Sequence, residues 1–234
     1  MKVLVIDAGG THIKLLVTGH KQKVEFPSGP RMTAVKMVAE VKKAVKAAGW
    51  KHDVISMGYP GPVLHDRPMM EPHNLGKGWV KFDFRKAFGC RIKIINDAAM
   101  QALGSYRGGR MLFLGLGTGL GSALIVDSVL EPLELAHLPF KKGRTFEDYV
   151  GLAGLRRLGK RKWRRYVAKM VLDLKAATQA EYVVIGGGNA RLLKKLPPNT
   201  RLGENDNAFR GGFRLWSQQF RQGSKEGAPR GRRS

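Results

Sequence analysis

Two stretches of this chain share one pattern, and that pattern restricts the fold more than any other feature. "VIDAGGTHIKLLV" spans residues 5–17 and "FLGLGTGLGSALIV" spans residues 113–126. Each reads as an apolar strand, a turn of glycine and threonine, and a second apolar strand. A turn this short joins antiparallel neighbours, so each stretch is expected to form a β-hairpin. The repetition implies two related lobes, each led by such a hairpin. Glycine turns also let backbone N–H groups converge on an anion, because no Cβ blocks the approach. A pair of plain tight hairpins has the same sequence signature.

Further short apolar runs, "DVISMG", "RIKII" and "EYVVIG", read as strands bounded by Gly or Asp. Helix patterns lie between them. Residues 33–48 place Val35, Val38, Val41, Val45 and Ala48 on one stripe, with lysines opposite and Gly49 as a stop. Asp97 is expected to cap a short helix through "AAMQAL". Residues 146–175 read as largely helical with a break at Gly159, and Phe209, Phe213, Trp216 and Phe220 share one face of a C-terminal packing helix. Strands mixed with helices give an α/β protein.

Hydrophobic residues make up 43% of the 234, which excludes a disordered chain and allows a sizeable core. No apolar run has the length of a membrane span, and the chain opens on a strand without a secretory signal pattern. Cys90 is the single cysteine, which excludes an internal disulfide and a multi-cysteine metal site. A cytoplasmic location is expected. The net charge of +24 is unusual. Part of it falls in "RQGSKEGAPRGRRS", residues 221–234, expected to be a disordered basic tail. Part falls in residues 156–169, "RRLGKRKWRRYVAK", with eight basic residues and no acid. Such a surface attracts polyanions, inorganic polyphosphate or nucleic acid among them. A solvated helix face is the plain alternative.

Two common phosphate motifs are excluded. No G-x-x-x-x-G-K-[ST] occurs, and "GLGTGLG" lacks the G-x-G-x-x-G spacing and leads into a strand rather than a helix. A strand–turn–strand phosphate clamp, present twice, remains. Asp7 and Lys14 flank the first turn. An acid there suits a magnesium ion held partly through water, and a lysine there suits phosphoryl oxygens.

"DAGGTHIK" resembles the first phosphate motif of sugar kinases with the hexokinase/actin-like fold, and more closely that of the ROK family. "GYPGPV", "INDAAMQALG", "LGLGTGLGSALIV", "ELAH" and "VVIGGGN" follow in that family's order, with the polyphosphate glucokinase branch the nearest match. The resemblance extends to about Trp216. It implies a two-lobed, RNase H-like α/β fold with a cleft between the lobes. Residues 1–96 would form the N-terminal lobe and residues 97–220 the C-terminal lobe, with the last helix packing back toward the N-terminal lobe.

Carried over position by position, the resemblance makes Asp97 the catalytic base and Asn96 a sugar ligand. Gly61 lies in a loop of the sugar cleft, as does "NLGKGW". Glu134 and His137 match the family's E-x-G-H sugar motif, whose central glycine is Ala136 here. Glu147 matches a further sugar-binding glutamate; in zinc-containing members it follows a cysteine-rich motif that is absent here. Gly9, Gly10, Thr11 and Lys14, with Gly117, Thr118 and Gly119, match the phosphate clamps. Gly186, Gly187 and Gly188 match the turn at the adenosine end of the nucleotide site. Asp7 would hold Mg2+. Each also has a plainer role: Asp97 as a helix cap, His137 as a buried histidine, Glu147 as a charge favoured at a helix N-terminus.

The expected function is phosphoryl transfer from polyphosphate, ATP or both to the 6-hydroxyl of a hexose, glucose first. Carboxylates and amides are the natural partners for a ring of hydroxyls. The resemblance also implies a homodimer; no membrane and no specific nucleic acid are expected as partners. The alternatives are a ROK sugar-binding protein without catalysis and a basic polyanion- or nucleic-acid-binding protein. A ROK repressor would need a helix-turn-helix ahead of the first strand, which starts at Lys2.

Overall fold

The computed structural model describes residues 1–204 and 206–217, and residues 221–222 by their backbone. In chain order the first half contains β1 (Val3–Ala8), β2 (His12–Val17), β3 (Val24–Pro27), α1 (Ala34–Ala47), β4 (Val54–Tyr59), β5 (Val63–Leu64), β6 (Arg67–Pro68), α2 (Phe84–Phe88) and β7 (Arg91–Asn96). The second half contains α3 (Asp97–Ser105), β8 (Arg110–Leu116), β9 (Leu120–Val126), β10 (Val129–Leu133), β11 (Pro139–Lys141), β12 (Arg144–Thr145), α4 (Phe146–Val150), α5 (Leu152–Thr178), β13 (Tyr182–Gly186), β14 (Thr200–Leu202), α6 (Asn207–Arg214) and β15 (Arg221–Gln222).

Two sheets carry the same topology. The first has the order β3-β2-β1-β4-β7 and the second β10-β9-β8-β13-β14, with β15 added beside β10. In each, the glycine hairpin supplies the two antiparallel central strands, β1 with β2 and β8 with β9. In each, two parallel strands follow, β4 and β7 or β13 and β14. The short repeat in the sequence therefore marks a repeat of the whole five-strand unit.

Strand alternation sorts the side chains into three cores. Val3 and Val5 of β1 face a central core with Met111 and Phe113 of β8 and Val184 of β13. Helices α3 and α6 supply much of the rest of that core, so they lie between the two sheets. Leu4 and Ile6 face the opposite way, onto α1 and α2. Leu112, Leu114 and Leu116 face α4 and α5. A sheet covered on both faces explains why these strands read as continuous apolar runs rather than alternating ones.

Helix α3 crosses α6 at backbone contact. Gly104 leaves room for the Asn207 carbonyl, and Gly211 for the Met100 carbonyl; a Cβ at either position would overlap those atoms. Helix α6 then reaches the first sheet. Ser56 Oγ donates to Gly212 O at 2.6 Å, and Trp216 Nε1 donates to Ser56 Oγ at 2.9 Å.

Several expectations need correction. Thr33 caps α1 and Gly49 lies in the left-handed region after it, but the buried stripe is Ala34, Met37, Val38, Val41 and Val45. Val35 and Ala48 are exposed, because the stripe starts one residue earlier than the valine spacing suggests. Asn96, not Asp97, is the N-cap of α3. Helix α6 ends at Arg214, so Trp216 packs from the turn beyond it; Phe220 lies outside the described residues. The segment expected as a tail begins with Arg221 and Gln222 paired to β10, and residues 223–234 lie outside the described residues. Gly159 breaks α5 with φ 71° and ψ 158°. No helix among the described residues is long and apolar enough to cross a membrane.

Candidate active site

The two glycine turns are built alike. In the first, Gly9 N–H donates to Asp7 O and His12 O, both at 3.1 Å. In the second, Gly117 N–H donates to Gly119 O at 3.1 Å. The leading glycine amide of each turn is spent closing the turn. The next two amides, of Gly10 and Thr11 and of Thr118 and Gly119, make no hydrogen bond among the described residues. Each turn thus presents a pair of free N–H groups, the element an anion site needs.

Neighbouring segments hold both turns still. Ser28 Oγ donates to Gly9 O at 2.6 Å, and its N–H donates to Thr11 O at 2.9 Å. Asn74 of "NLGKGW" lies against Gly10, where its Cβ fills the place of a side chain. In the second turn, Asn189 Nδ2 donates to Gly117 O at 2.8 Å and Leu152 N–H to Thr118 O at 3.0 Å. Gly186, Gly187 and Gly188 lead into that asparagine; Gly187 adopts φ 83° against Leu116.

Asp7 is the penultimate residue of β1, half-buried, opposite Lys14 on β2 and Gly58 on β4. Burial raises its pKa, and the charges of Lys14 and Lys23 oppose the rise. Lys23 also pairs with Asp206 and lies 5.2 Å from the centre of the Phe209 ring.

Asp97 opens α3 directly after β7. Asn96 Oδ1 accepts from Ala98 N at 3.0 Å and Ala99 N at 3.2 Å, and its Nδ2 donates to Gly61 O at 3.1 Å. One Nδ2 proton of Asn96 remains for a ligand. Asp97 Oδ1 also accepts from Ala98 N at 2.7 Å. Burial, then the charge of Asp7, raises the Asp97 pKa to about 7, against the lowering effect of the Ala98 bond. A carboxylate near pH 7 is matched to proton abstraction at neutral pH.

Glu134 and His137 follow β10, exposed, with Nε2 of His137 4.0 Å from Oε1 of Glu134. His137 is therefore not a buried histidine. The segment is anchored by Ser122, whose Oγ donates to Leu133 O at 2.8 Å and accepts from Leu135 N at 3.2 Å. Ala136 is buried and is not among the residues with positive φ, so the methyl that replaces the family glycine costs no backbone strain. No hydrogen bond or ion pair among the described residues joins Glu134 or His137 to Asn96 or Asp97. Glu147 turns its carboxylate to the N–H of Leu120, at 2.9 Å, beside the second turn.

Ser28, Ser122 and Lys23 escaped the sequence reading. Ser28 lies in "FPSGP", whose proline and glycine residues signal a turn but no contact to the glycine turn of residues 9–11. Lys23 has no local signal, because its partners are Asp206 and Phe209, far along the chain.

No group of three or more His, Cys, Asp or Glu among the described residues converges to hold a metal. Asp7 offers a single hard-oxygen donor next to free amides. That suits Mg2+, which keeps several waters and takes one or two carboxylates together with phosphate oxygens.

A family model described as ROK family matches residues 3–131. Polyphosphate glucokinase of Mycobacterium tuberculosis (strain ATCC 25618 / H37Rv) is 28% identical over 217 residues, covering 82% of this chain and 80% of that protein. The crystal structure of inorganic polyphosphate/ATP-glucomannokinase from Arthrobacter sp. strain KM aligns with a TM-score of 0.68 at 23% identity, over 90% of this chain and 96% of that one. A ROK family glucokinase from Streptomyces griseus, solved with glucose and AMPPNP, aligns with a TM-score of 0.71 at 16% identity, over 90% and 97%. These structures share the actin-like kinase fold with the two repeated sheets described above.

Proposed function

From the premise that this chain belongs to the ROK family, we propose that it is a sugar kinase that phosphorylates the 6-hydroxyl of a hexose, glucose first, with polyphosphate, ATP or both as donor. The observation that carries this reading is Asp97. It sits at the head of α3 beside Asn96, with a pKa raised to about 7 by burial and by the charge of Asp7. A carboxylate so placed takes up a hydroxyl proton at neutral pH.

The hydroxyl oxygen attacks the terminal phosphorus of the donor. Its proton passes to Asp97 as the new O–P bond forms. The bridging P–O bond breaks, and its electron pair leaves with the shortened donor. The amides of Gly10, Thr11, Thr118 and Gly119, with Lys14, hold phosphate oxygens and offset charge that develops on them. Asn96 offers an amide N–H, and Glu134 and His137 offer a carboxylate and an imidazole, to the sugar hydroxyls. Asp7 would hold Mg2+, which supplies further charge neutralisation at the donor when bound. Most of the rate enhancement then comes from positioning and preset electrostatics.

Polyphosphate as a donor is supported by the route out of the second turn. Gly117 is bonded to Asn189, and Arg164 of the basic helix donates through Nε to Leu192 O at 2.6 Å. The basic segment therefore adjoins the donor end of the site. Arg161, Lys162 and Arg165 stand exposed on it.

A coupled assay with glucose, run in parallel with ATP and with polyphosphate, tests the reading. Glucose 6-phosphate formed with at least one donor is the expected result. No product with either donor across common hexoses, from a folded protein that binds sugar, overturns it in favour of a sugar-binding protein without catalysis.

A further inference from the structure

Glu134 and His137 lie on residues 134–138, a segment that is neither helix nor strand. Its shape is set from its two sides. On one side, Ser122 Oγ donates to Leu133 O and accepts from Leu135 N–H. On the other, the head of α4 reaches back to it. Phe146 N–H donates to Leu138 O at 3.1 Å, and Glu147 N–H donates to Ala136 O at 3.0 Å. Ala136, Phe146 and Tyr149 are buried in one core. The chain between the segment and α4 is the hairpin β11–β12, so the seat of this hairpin decides how the segment meets the helix.

The hairpin is tight and carries one irregularity. Lys142 and Gly143 form its two-residue turn, with φ 52° and 68°, a left-handed pair that matches the twist of the flanking strands. Pro139 pairs with Thr145 and Lys141 with Arg144. Three residues of β11 therefore face two of β12, and Phe140 is the extra one. A bulge of this kind re-aims a side chain. Here the re-aimed ring enters an aromatic cluster. Phe140 stacks on Phe146 with 4.7 Å between ring centres and 26° between planes. It meets Tyr149 edge-on at 5.2 Å and Tyr166 edge-on at 6.0 Å. Tyr149 and Tyr166 are themselves 4.6 Å apart. Phe146 and Tyr149 belong to α4 and Tyr166 to α5, so one ring fastens the hairpin to both helices. Such ring pairs are favourable beyond the burial of their area. Phe140 is only partly buried, at the edge of the core under α4 and α5. Its loss should act on the hairpin and leave that core standing.

We infer that Phe140 is a positioning residue for the sugar side of the site: its ring seats the β11–β12 hairpin on α4 and α5, and so holds Glu134 and His137 where they meet sugar hydroxyls. The inference rests on the reading of Glu134 and His137 as sugar ligands given above. The glycine turns are held by Ser28, Asn189 and Leu152 instead. The effect of Phe140 therefore falls on one substrate and spares the other.

Calorimetric titration with glucose, with no donor present, tests this in the wild type, Phe140→Leu and Phe140→Tyr. Leucine keeps apolar bulk and removes the ring; tyrosine keeps the ring. Phe140→Leu should weaken glucose binding on the order of tenfold, which corresponds to about one lost aromatic contact. Phe140→Tyr should bind glucose as the wild type does, and tripolyphosphate should bind equally to all three. Wild-type glucose affinity in Phe140→Leu overturns the inference. Equal weakening toward glucose and tripolyphosphate also overturns it, because that marks a general loss of structure. So does a tyrosine variant as weak toward glucose as the leucine one. If Phe140→Leu does not fold, Tyr166→Leu takes its place. It removes the contact from the α5 side and should weaken glucose binding in the same direction, and wild-type affinity there overturns the inference as well. A wild type that binds glucose and phosphorylates no sugar instead removes the kinase reading, and the glucose titrations still decide the role of Phe140.

Discussion

The negative charge of Asp7, near the end of β1, reaches Asp97 at the head of α3 and raises its pKa, second only to burial among the causes. Two carboxylates from two different structural units are thus held in one field. Stability gives a direct measure of this. The folded-state pKa of Asp97 is about 7, above its ordinary value of 3.8. Between those values the folded chain holds a proton that the unfolded chain has lost, so this group lowers stability as pH rises. Asp97→Asn should therefore gain stability relative to wild type, by a margin that widens from pH 5 to pH 8 and then levels. Denaturant unfolding of both proteins without divalent metal checks it; a margin independent of pH would mean that Asp97 titrates normally.

The same substitution should nearly abolish turnover. The amide keeps the shape and the Ala98 bond but cannot accept the hydroxyl proton. Loss of a general base costs on the order of 10²–10⁴ in rate. Sugar binding should persist, because Asn96, Glu134 and His137 are untouched. Measured kcat at the wild-type level would remove Asp97 from the role of base. A variant that is both more stable and slower fits a site whose strain serves function.

Much of this site was legible because its parts are local. Both glycine turns, the strand before each, and the break at Gly159 follow from short-range composition. What stayed hidden depends on contacts distant in sequence. Asn96 and Asp97 are adjacent, and both residue types cap helices; only the bonds from Asn96 Oδ1 to Ala98 N and Ala99 N distinguish them. Val35 and Ala34 both continue a helical stripe, and the packing of α1 against the first sheet chooses Ala34. Strands β3 and β10 carry little strand signal of their own, because "VEFP" and "VLEPL" are short and each contains a proline. The direction of the Glu147 side chain needs Leu120, which no spacing rule connects to it.

The crossing of α3 and α6 allows a test of the fold itself. Gly211→Ala would place a methyl against the Met100 carbonyl and 3.0 Å from Gly104 N. Backbone atoms on both sides cannot yield as a flexible side chain would. Overpacking of this kind costs about 1–3 kcal/mol, and equilibrium unfolding should show a loss in that range. The loss should extend to activity, since α6 carries the contact to Ser56 on β4 and α3 carries Asp97. A variant as stable as wild type would mean that the two helices sit farther apart.

The basic helix supplies the last test. A long linear polyanion releases condensed counterions for each phosphate that a cation neutralises, so its binding weakens steeply as salt rises. ATP is short and meets few of the charges along α5. With polyphosphate as donor, apparent affinity should fall steeply with salt; with ATP it should fall little. Arg164 is a poor choice for charge reversal, because its Nε bond to Leu192 O also holds the segment after the third glycine turn. Arg161, Lys162 and Arg165 are exposed, and Glu at all three should weaken polyphosphate use while largely sparing ATP use. The slope of log KM against log salt should also become shallower for polyphosphate in that variant, because fewer counterions are released. Equal salt slopes for the two donors in the wild type, or an unchanged slope in the variant, would separate the basic helix from the donor path. The helix would then act as a solvated face, and the donor site would end at the glycine turns and Lys14.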